Sequence, residues 1–325
     1  QLSVRLFAVV VAVYLTLLVT VEAVNAILYG RMRRWGAFFP AMAAAAGGTG
    51  LFVLIVFVPA LRDAALRYTA ALLLTVFGTG LVCDVLALTI RSRRVRRVLG
   101  SIRVALPDLM SLFLPQRTAD VLPRAPLGPV PQRGTEEFEL LFQTSAHGIG
   151  LVGHCELCFD GRTLTYGAYD PAHQRLLRTV GAGIVFSAPR EPYLRWCIGT
   201  HHRRVISYSL RLPPAQAAQL RAELERFRQT LSPWQPEALP EDCFAGRLRR
   251  LGGVRFWRVQ RGPYATYFIP TINCVSLTNK LLEKTDIGRT VMLGLKTPGA
   301  YLDLLEREYL AGNPVVTARR VYDRI

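Results

Sequence analysis

The chain has 325 residues and a formal net charge of +17, and 51% of it is hydrophobic. Nearly all the basic residues are arginine, and no nucleic-acid recognition motif or basic and aromatic stripe accompanies them. The composition therefore favours an anionic lipid surface over nucleic acid as a partner. The six cysteines lie in a chain too large to need a disulfide framework, and the sequence leaves open whether Cys197 and Cys243 pair.

Three apolar stretches open the chain, at residues 4–29, 36–60 and 68–90. Each exceeds the roughly 20 apolar residues that cross a bilayer. Three in succession predict a multi-span membrane anchor over residues 1–115 rather than a signal peptide. Arginines cluster after the first and third stretches, so the positive-inside rule places these ends in the cytoplasm and the N-terminus outside.

Residues 98–115 decide on which side of the membrane the rest of the chain lies. They are apolar but short, and Arg103, Pro107 and Asp108 interrupt them. They fit an amphipathic helix in the membrane interface, which leaves the C-terminal part in the cytoplasm. They also fit a fourth crossing, which places it outside. Residues 116–135, rich in Pro, Gly and Arg, are predicted to be a linker.

From residue 136 to residue 325 the pattern is typical of a separate α+β domain large enough for its own core. The two residues Asp160 and Gly161 form a hairpin signal between two predicted strands. Amphipathic helices are predicted at 213–231 and 298–312, and a third begins near Cys274. Strands are predicted at 137–144, 148–161, 163–170, 182–189, 203–212, 253–260, 264–270 and 315–322.

Cys274 follows Asn273 at the predicted start of a helix, where Thr271 or Asn273 can act as the N-cap. A thiol at this place feels the positive end of the helix dipole and unpaired N–H groups, which favour the thiolate. The same N–H groups can hold an oxyanion during acyl transfer. His154 lies in the predicted strand "GLVGHCEL", and a cysteine opening a helix with a histidine on a strand are the parts of a papain-like site.

The sequence carries no signal for a cofactor or a metal. Cys155 and Cys158 have the spacing of half a zinc site, but residues three apart on a strand point to opposite faces of the sheet. No second pair of this kind follows, and neither a phosphate loop nor a dinucleotide fingerprint is present. We therefore expect neither a cofactor nor a metal.

The segment "GLVGHCELCFDGRTLTYGAYD", followed much later by "YATYFIPTINCVSLTNKLL", resembles the Lnb-like periplasmic domain family over roughly residues 136–290. The resemblance implies a permuted papain-like fold of the NlpC type, with histidine before cysteine. It implies that Cys274 is the nucleophile and His154 the base. The family's domain is extracytoplasmic, which favours the fourth crossing, in a bacterial cytoplasmic membrane.

The resemblance leaves the third residue of the site open. Tyr166 stands across the predicted hairpin from the histidine, about where related folds place a polar residue. His147, Tyr169 and Asp170 are rivals for this role, and a protonated tyrosine can instead donate to an oxyanion. Asn273 either shapes the turn of the cysteine or simply caps its helix.

Lnb-type proteins are lipoprotein intramolecular transacylases, so the resemblance implies a membrane-anchored acyltransferase. An acyl chain from the diacylglyceryl group of a lipoprotein would pass through a Cys274 thioester to an amino group. The partners would then be the lipid membrane and an acylated protein. Two alternatives remain: a membrane-anchored cysteine amidase or peptidase that hydrolyses cell-wall peptide or protein, and a non-catalytic binding module in which both residues are structural.

Overall fold

The computed structural model describes residues 2–89, 102–104, 115, 118–126, 137–145, 153–235, 243–285, 287, 291–293 and 297–323. The chain divides into two compact units, Gln1–Leu86 and Ala87–Ile325. The first is helical. The second contains a mostly antiparallel sheet with helices, which confirms the α+β class.

The N-terminal unit is built from α1 (Leu2–Arg31), α2 (Trp35–Phe57) and most of α3 (Pro59–Thr89). Two segments, Arg5–Arg31 and Trp35–Phe57, are long and apolar enough to cross a membrane. A side chain at Gly48 would collide with Val19, so this glycine lets α2 approach α1 closely. The third predicted span, 68–90, falls on α3, where the side chains of several residues lie outside the described set.

Most of residues 98–115 lie outside the described residues, so the interfacial helix and the fourth crossing both stay predictions. Three described residues form strand β1 (Ile102–Val104), which pairs in parallel with β11 (Val291–Leu293) and is therefore not helical. Within the predicted linker, residues 118–121 are helical and Ala119 is buried in the core of the C-terminal unit. Ala125 donates its N–H to the carbonyl of Val321. This part of the predicted linker therefore packs on the C-terminal unit.

An eight-stranded antiparallel sheet forms the centre of the C-terminal unit, in the order β12-β7-β2-β3-β4-β6-β9-β8. The Asp160-Gly161 turn, with positive φ at both residues, joins β3 to β4 as predicted. A short pair, β5 with β10, lies outside the main sheet. The strands are β2 (Glu137–Thr144), β3 (His154–Phe159), β4 (Arg162–Gly167), β5 (Val180–Ala182), β6 (Ile184–Pro189), β7 (Arg204–Arg211), β8 (Leu231–Pro233), β9 (Arg255–Val259), β10 (Thr266–Phe268) and β12 (Val316–Tyr322).

Helices cover both faces of this sheet. On one face, here called the thiol face, lie α5 (Pro214–Arg228), α7 (Cys274–Leu281) and α8 (Pro298–Leu310), which share an apolar cluster with alternate residues of the strands. On the other, here called the imidazole face, lie α4 (Arg190–His201) and α6 (Phe244–Arg249). Helices α5, α7 and α8 confirm the predictions, whereas α4 was not predicted.

Candidate functional site

The helix that carries Cys274 begins with a complete capping box. Asn273 accepts the N–H of Ser276 through its side-chain oxygen at 2.9 Å, and the Ser276 hydroxyl accepts the N–H of Asn273 at 2.9 Å. The Asn273 amide also donates to the carbonyl of Ile269 at 2.8 Å, which fixes the preceding turn. Asn273 is therefore a helix cap that shapes the turn of the cysteine, as the sequence indicated.

Three donor groups favour the ionised sulfur of Cys274. The backbone N–H of Cys155, on β3, donates to Sγ at 3.4 Å. The N–H of Val275 and the hydroxyl of Tyr267 also act to lower the pKa of this thiol. The Cys155 N–H is available because β3 and β4 pair only from Leu157 to Phe159, so the ladder is open at this end. All three donors would stabilise a thiolate or a developing negative charge nearby.

Burial nevertheless keeps this thiol protonated. Only 3% of Cys274 is exposed, and burial raises the pKa of its thiol to about 11, against the lowering effect of the Cys155 and Val275 N–H groups. The sequence-based expectation that the helix terminus yields a thiolate therefore does not hold in this structure. An ionised sulfur loses hydration free energy when it is buried in the apolar cluster. This loss exceeds the electrostatic stabilisation that the helix N-terminus supplies.

His154 is the first residue of β3 and stands directly before the residue that contacts the sulfur. The register of β2 and β3 places it opposite Gln143 and on the same face as Glu156, the imidazole face. Its Nε2 lies 3.2 Å from the Tyr169 hydroxyl and 3.9 Å from Oε1 of Glu156. The thiol and the imidazole thus approach the same end of β3 from opposite faces, and no hydrogen bond joins them among the described residues.

The imidazole of His154 is neutral in this setting. Burial, and to a smaller extent the nearby positive charge of Arg203, lower its pKa to about 3. Its side chain is 18% exposed. A neutral imidazole is the form that accepts a proton, but a pKa this far below neutral makes His154 a weak base in this structure.

A hydrogen-bonded network of buried polar side chains lies next to the histidine. Oε1 of Glu156 accepts the Tyr193 hydroxyl at 2.6 Å and the Thr165 hydroxyl at 3.1 Å, while its Oε2 has no partner among the described residues. Gln143 donates to the Tyr193 oxygen at 2.9 Å and accepts from the guanidinium of Arg203 at 2.7 Å. Burial raises the pKa of Glu156 to about 7, against the lowering effect of these hydrogen bonds and of Arg203.

The structure distinguishes three of the four candidates for the third role. Tyr169 contacts His154, whereas the Tyr166 hydroxyl donates to the carbonyls of Tyr264 and Thr266, at 2.9 and 3.2 Å, on the thiol face. Asp170 pairs with His173 at 2.7 Å and with Arg258. His147 lies outside the described residues. The geometry therefore favours Tyr169 over Tyr166 and Asp170 as the residue that orients the imidazole.

Two residues of the site were not predicted. Glu156 stands two residues after His154 in an otherwise apolar strand, so strand alternation alone places it on the same face, and this signal was available in the sequence. Tyr267 reaches the sulfur only because β10 leads into the turn before Cys274. Its role depends on tertiary packing and has no local signature.

The remaining cysteines carry no cross-link in the described part of the chain. Cys155 and Cys158 lie in clusters on opposite faces of the sheet, as strand alternation predicts, so they cannot share a metal ion. Cys197 and Cys243 are both free thiols. No group of three histidine, cysteine or acidic side chains within the described ranges is arranged to hold a metal.

No protein-family model matches this sequence, and no curated protein or solved structure is significantly similar to it. The resemblance to the Lnb-like family thus rests on the histidine and cysteine motifs and stays a prediction. The geometry brings a protonated thiol and a neutral imidazole to the same end of β3, on opposite faces of the sheet.

Proposed function

We propose that this chain is a membrane-anchored thiol acyltransferase that moves an acyl chain through a thioester on Cys274. One observation carries the proposal: Cys274 opens a capped helix, its sulfur accepts the N–H of Cys155, the residue next to His154, and the Val275 N–H and Tyr267 hydroxyl also lower the pKa of its thiol. A cysteine that serves packing alone needs no such set of donors. The helices that can cross a membrane support a substrate in or on the bilayer.

The first step requires His154 and Cys274, which lie on opposite faces of the sheet in this structure, to approach each other around the end of β3. His154 then takes the proton of the Cys274 thiol while the sulfur attacks the carbonyl carbon of an ester. The carbon–oxygen bond then breaks, and the imidazolium returns its proton to the departing alkoxide. The product is an alcohol and an acyl thioester on Cys274. Because both groups are neutral at rest, the thiolate forms only as it attacks.

In the second step an amino group attacks the thioester. His154 accepts the proton from the nitrogen, the carbon–sulfur bond breaks, and the imidazolium returns the proton to the sulfur. The apolar cluster around Cys274 favours an amine over water as acceptor, because it limits hydrolysis of the thioester. This argument separates the transferase from the amidase or peptidase alternative.

The family resemblance suggests bacterial lipoproteins as substrates, with the C-terminal unit folded as a permuted papain-like domain outside the cytoplasmic membrane. The order of the elements, with the histidine strand β3 before the cysteine helix α7, is consistent with such a permutation. In that case the acyl donor is the diacylglyceryl group and the acceptor is the amino group of the lipoprotein's first cysteine.

The test is mass spectrometry of lipoprotein N-termini in a bacterial host that expresses wild type, Cys274→Ser or Cys243→Ser. Cys243 accepts the N–H of Gly246 as a helix cap, a role that serine fills, so it is a matched control. We expect an acyl chain on the amino group with wild type and Cys243→Ser only. Equal acylation with Cys274→Ser overturns the proposal, and release of cell-wall peptides in place of acylation points to the amidase.

A further inference from the structure

A short hairpin tip lies between Tyr169 and β5. Arg175 and Val180 exchange two backbone hydrogen bonds, of 2.8 and 3.2 Å, and close a loop of four residues, 176–179. At its tip stand Arg175, Leu176, Leu177 and Arg178, all exposed, a segment that we call the leucine tip. Leu176 is 60% and Leu177 94% exposed, so two adjacent large apolar side chains point into solvent.

The backbone of the leucine tip is strained. Leu176, Leu177 and Arg178 have φ angles of 48°, 54° and 68°, the left-handed region that bulky residues rarely adopt. The N–H and hydroxyl of Thr179 both donate to the carbonyl of Leu176 and hold the turn. Strain of this kind persists where the surrounding structure imposes it, and it is concentrated at functional sites.

The two arginines beside the leucines indicate what kind of surface the leucine tip binds. Arg175 and Arg178 flank the two leucines, and neither has an acidic partner among the described residues. In an anionic lipid surface the two leucines can enter the boundary of the acyl chains. The arginines on either side can then contact the lipid phosphates.

Two hydrogen bonds connect the leucine tip to the turn of the nucleophile. The carbonyl of Thr179 accepts the N–H of Ile269 at 3.0 Å, and the carbonyl of Ile269 accepts the Asn273 amide at 2.8 Å. Asn273 caps the helix that Cys274 opens. The tip and the thiol are thus parts of one hydrogen-bonded segment, so a lipid surface that binds the tip lies beside the site.

We propose that the leucine tip inserts Leu176 and Leu177 into an anionic bilayer and so presents the Cys274 site to an acyl donor in that bilayer. The part of this inference that concerns the acyl donor rests on the proposed function. The lipid contact itself is independent of any reaction and is measured without an activity assay.

The experiment uses the full chain reconstituted in vesicles of phosphatidylethanolamine and phosphatidylglycerol, with or without brominated acyl chains. Leu177→Trp and the control Leu310→Trp are compared in a Trp35→Phe background. Leu310 is 71% exposed and lies at the end of α8, outside the tip. We expect bromine to reduce the added fluorescence of Leu177→Trp about twofold, because interfacial side chains lie ~5–10 Å deep, and to leave that of Leu310→Trp unchanged.

Equal quenching of the two tryptophans, or none at Leu177→Trp, overturns the proposal. A second variant, Leu176→Asn with Leu177→Asn, has little risk of misfolding because asparagine tolerates the left-handed region better than leucine. We expect it to slow acyl transfer from a vesicle-bound donor and to leave the reaction with a soluble short-chain ester unchanged; equal rates with the vesicle-bound donor count against the proposal. Quenching without any acyl chemistry at Cys274 would reject the proposed function and retain the lipid contact.

Discussion

The two faces of the sheet handle their reactive groups differently. On the thiol face, Cys274 lies among apolar side chains such as Leu157 and Leu277, and only three donors reach its sulfur. On the imidazole face, His154 stands in front of a buried polar chain that runs from Glu156 through Tyr193 and Gln143 to Arg203. Burial neutralises both groups, but the histidine has partners that hold it in place. The comparison shows that the resting site holds a protonated thiol and a neutral imidazole rather than a thiolate–imidazolium ion pair.

The largest effect expected from the imidazole face comes from His154→Gln, which removes the base and keeps the size of the side chain. General-base catalysis contributes about 10²–10⁴-fold, so we expect kcat/KM with a chromogenic fatty-acyl ester to fall about 10³-fold. The alkylation rate of Cys274 by iodoacetamide should change little, because no ion pair is lost. A tenfold fall in alkylation at neutral pH would instead show that the resting thiol depends on the histidine.

Glu156→Gln tests the buried acid through stability. The pKa of Glu156 is about 7 in the folded chain against 4.5 in the unfolded one, so the folded state holds its proton more tightly. Its contribution to stability is complete below pH 4.5 and is lost as pH rises through 7, by roughly 3 kcal/mol over this window. The melting temperature of detergent-solubilised wild type should therefore decline more between pH 5 and 8 than that of Glu156→Gln. If the melting temperatures of wild type and Glu156→Gln changed in parallel, the carboxyl of Glu156 would be ionised throughout this pH range.

His154 has the opposite pH dependence, which sharpens the same test. Its pKa of about 3 lies below the ordinary 6.5, so its contribution to stability is complete above pH 6.5 and is lost as pH falls towards 3. Below pH 4.5, where Glu156 no longer titrates, wild type should lose stability more steeply than His154→Gln. The measurement is the same melting curve at pH 4.5 and 3.5.

Tyr169→Phe and Tyr166→Phe form a matched pair across the two faces. Tyr169→Phe removes the hydroxyl that binds Nε2 of His154, and we expect about a tenfold loss of kcat/KM, near 1.4 kcal/mol. Tyr166→Phe removes a hydroxyl that binds only backbone carbonyls, so it should lower the melting temperature and leave kcat/KM within about twofold. The reverse pattern would restore Tyr166 as the orienting residue.

Among the variants that remove a partner of Cys274 or His154, Tyr267→Phe on the thiol face has the smallest expected effect. The variant removes one of three donors to the sulfur, and we expect a loss of only a few-fold in kcat/KM, on the order of 1 kcal/mol. The alkylation of Cys274 should shift to higher pH because its thiolate is less stabilised. Cys243→Ser is needed as background, since Cys243 is more exposed than Cys274 and would also be alkylated. An unchanged alkylation profile would exclude the Tyr267 hydroxyl as a donor.

Much of the fold could be predicted from local pattern. The strands alternate polar and apolar residues, and Asp160-Gly161 fixes a two-residue turn. Helix α4 was missed because Pro192 and Gly199 interrupt its pattern, and its burial against the sheet outweighs these weak local signals. Cys274 and His154 were found because a helix cap and a strand histidine have local signatures.

Register could have excluded Tyr166 as the third residue of the site. The hairpin pairs Phe159 with Arg162, so counting back along both strands places His154 opposite Gly167 and Tyr166 opposite Cys155, on the other face. What no register gives is Tyr169, which lies beyond the strand and reaches the histidine through the packing of its ring against Phe186 and Phe244. The burial that keeps the thiol protonated is likewise a tertiary property.

The most direct measurement is the mass of the intact full chain after incubation with a fatty-acyl ester and no amine, followed by fragmentation. A thiol acyltransferase without an acceptor should accumulate one acyl group on Cys274, labile to hydroxylamine, in wild type and Cys243→Ser but not in Cys274→Ser. An unmodified chain, or an acyl group that persists in Cys274→Ser, would contradict the proposal that Cys274 is the nucleophile.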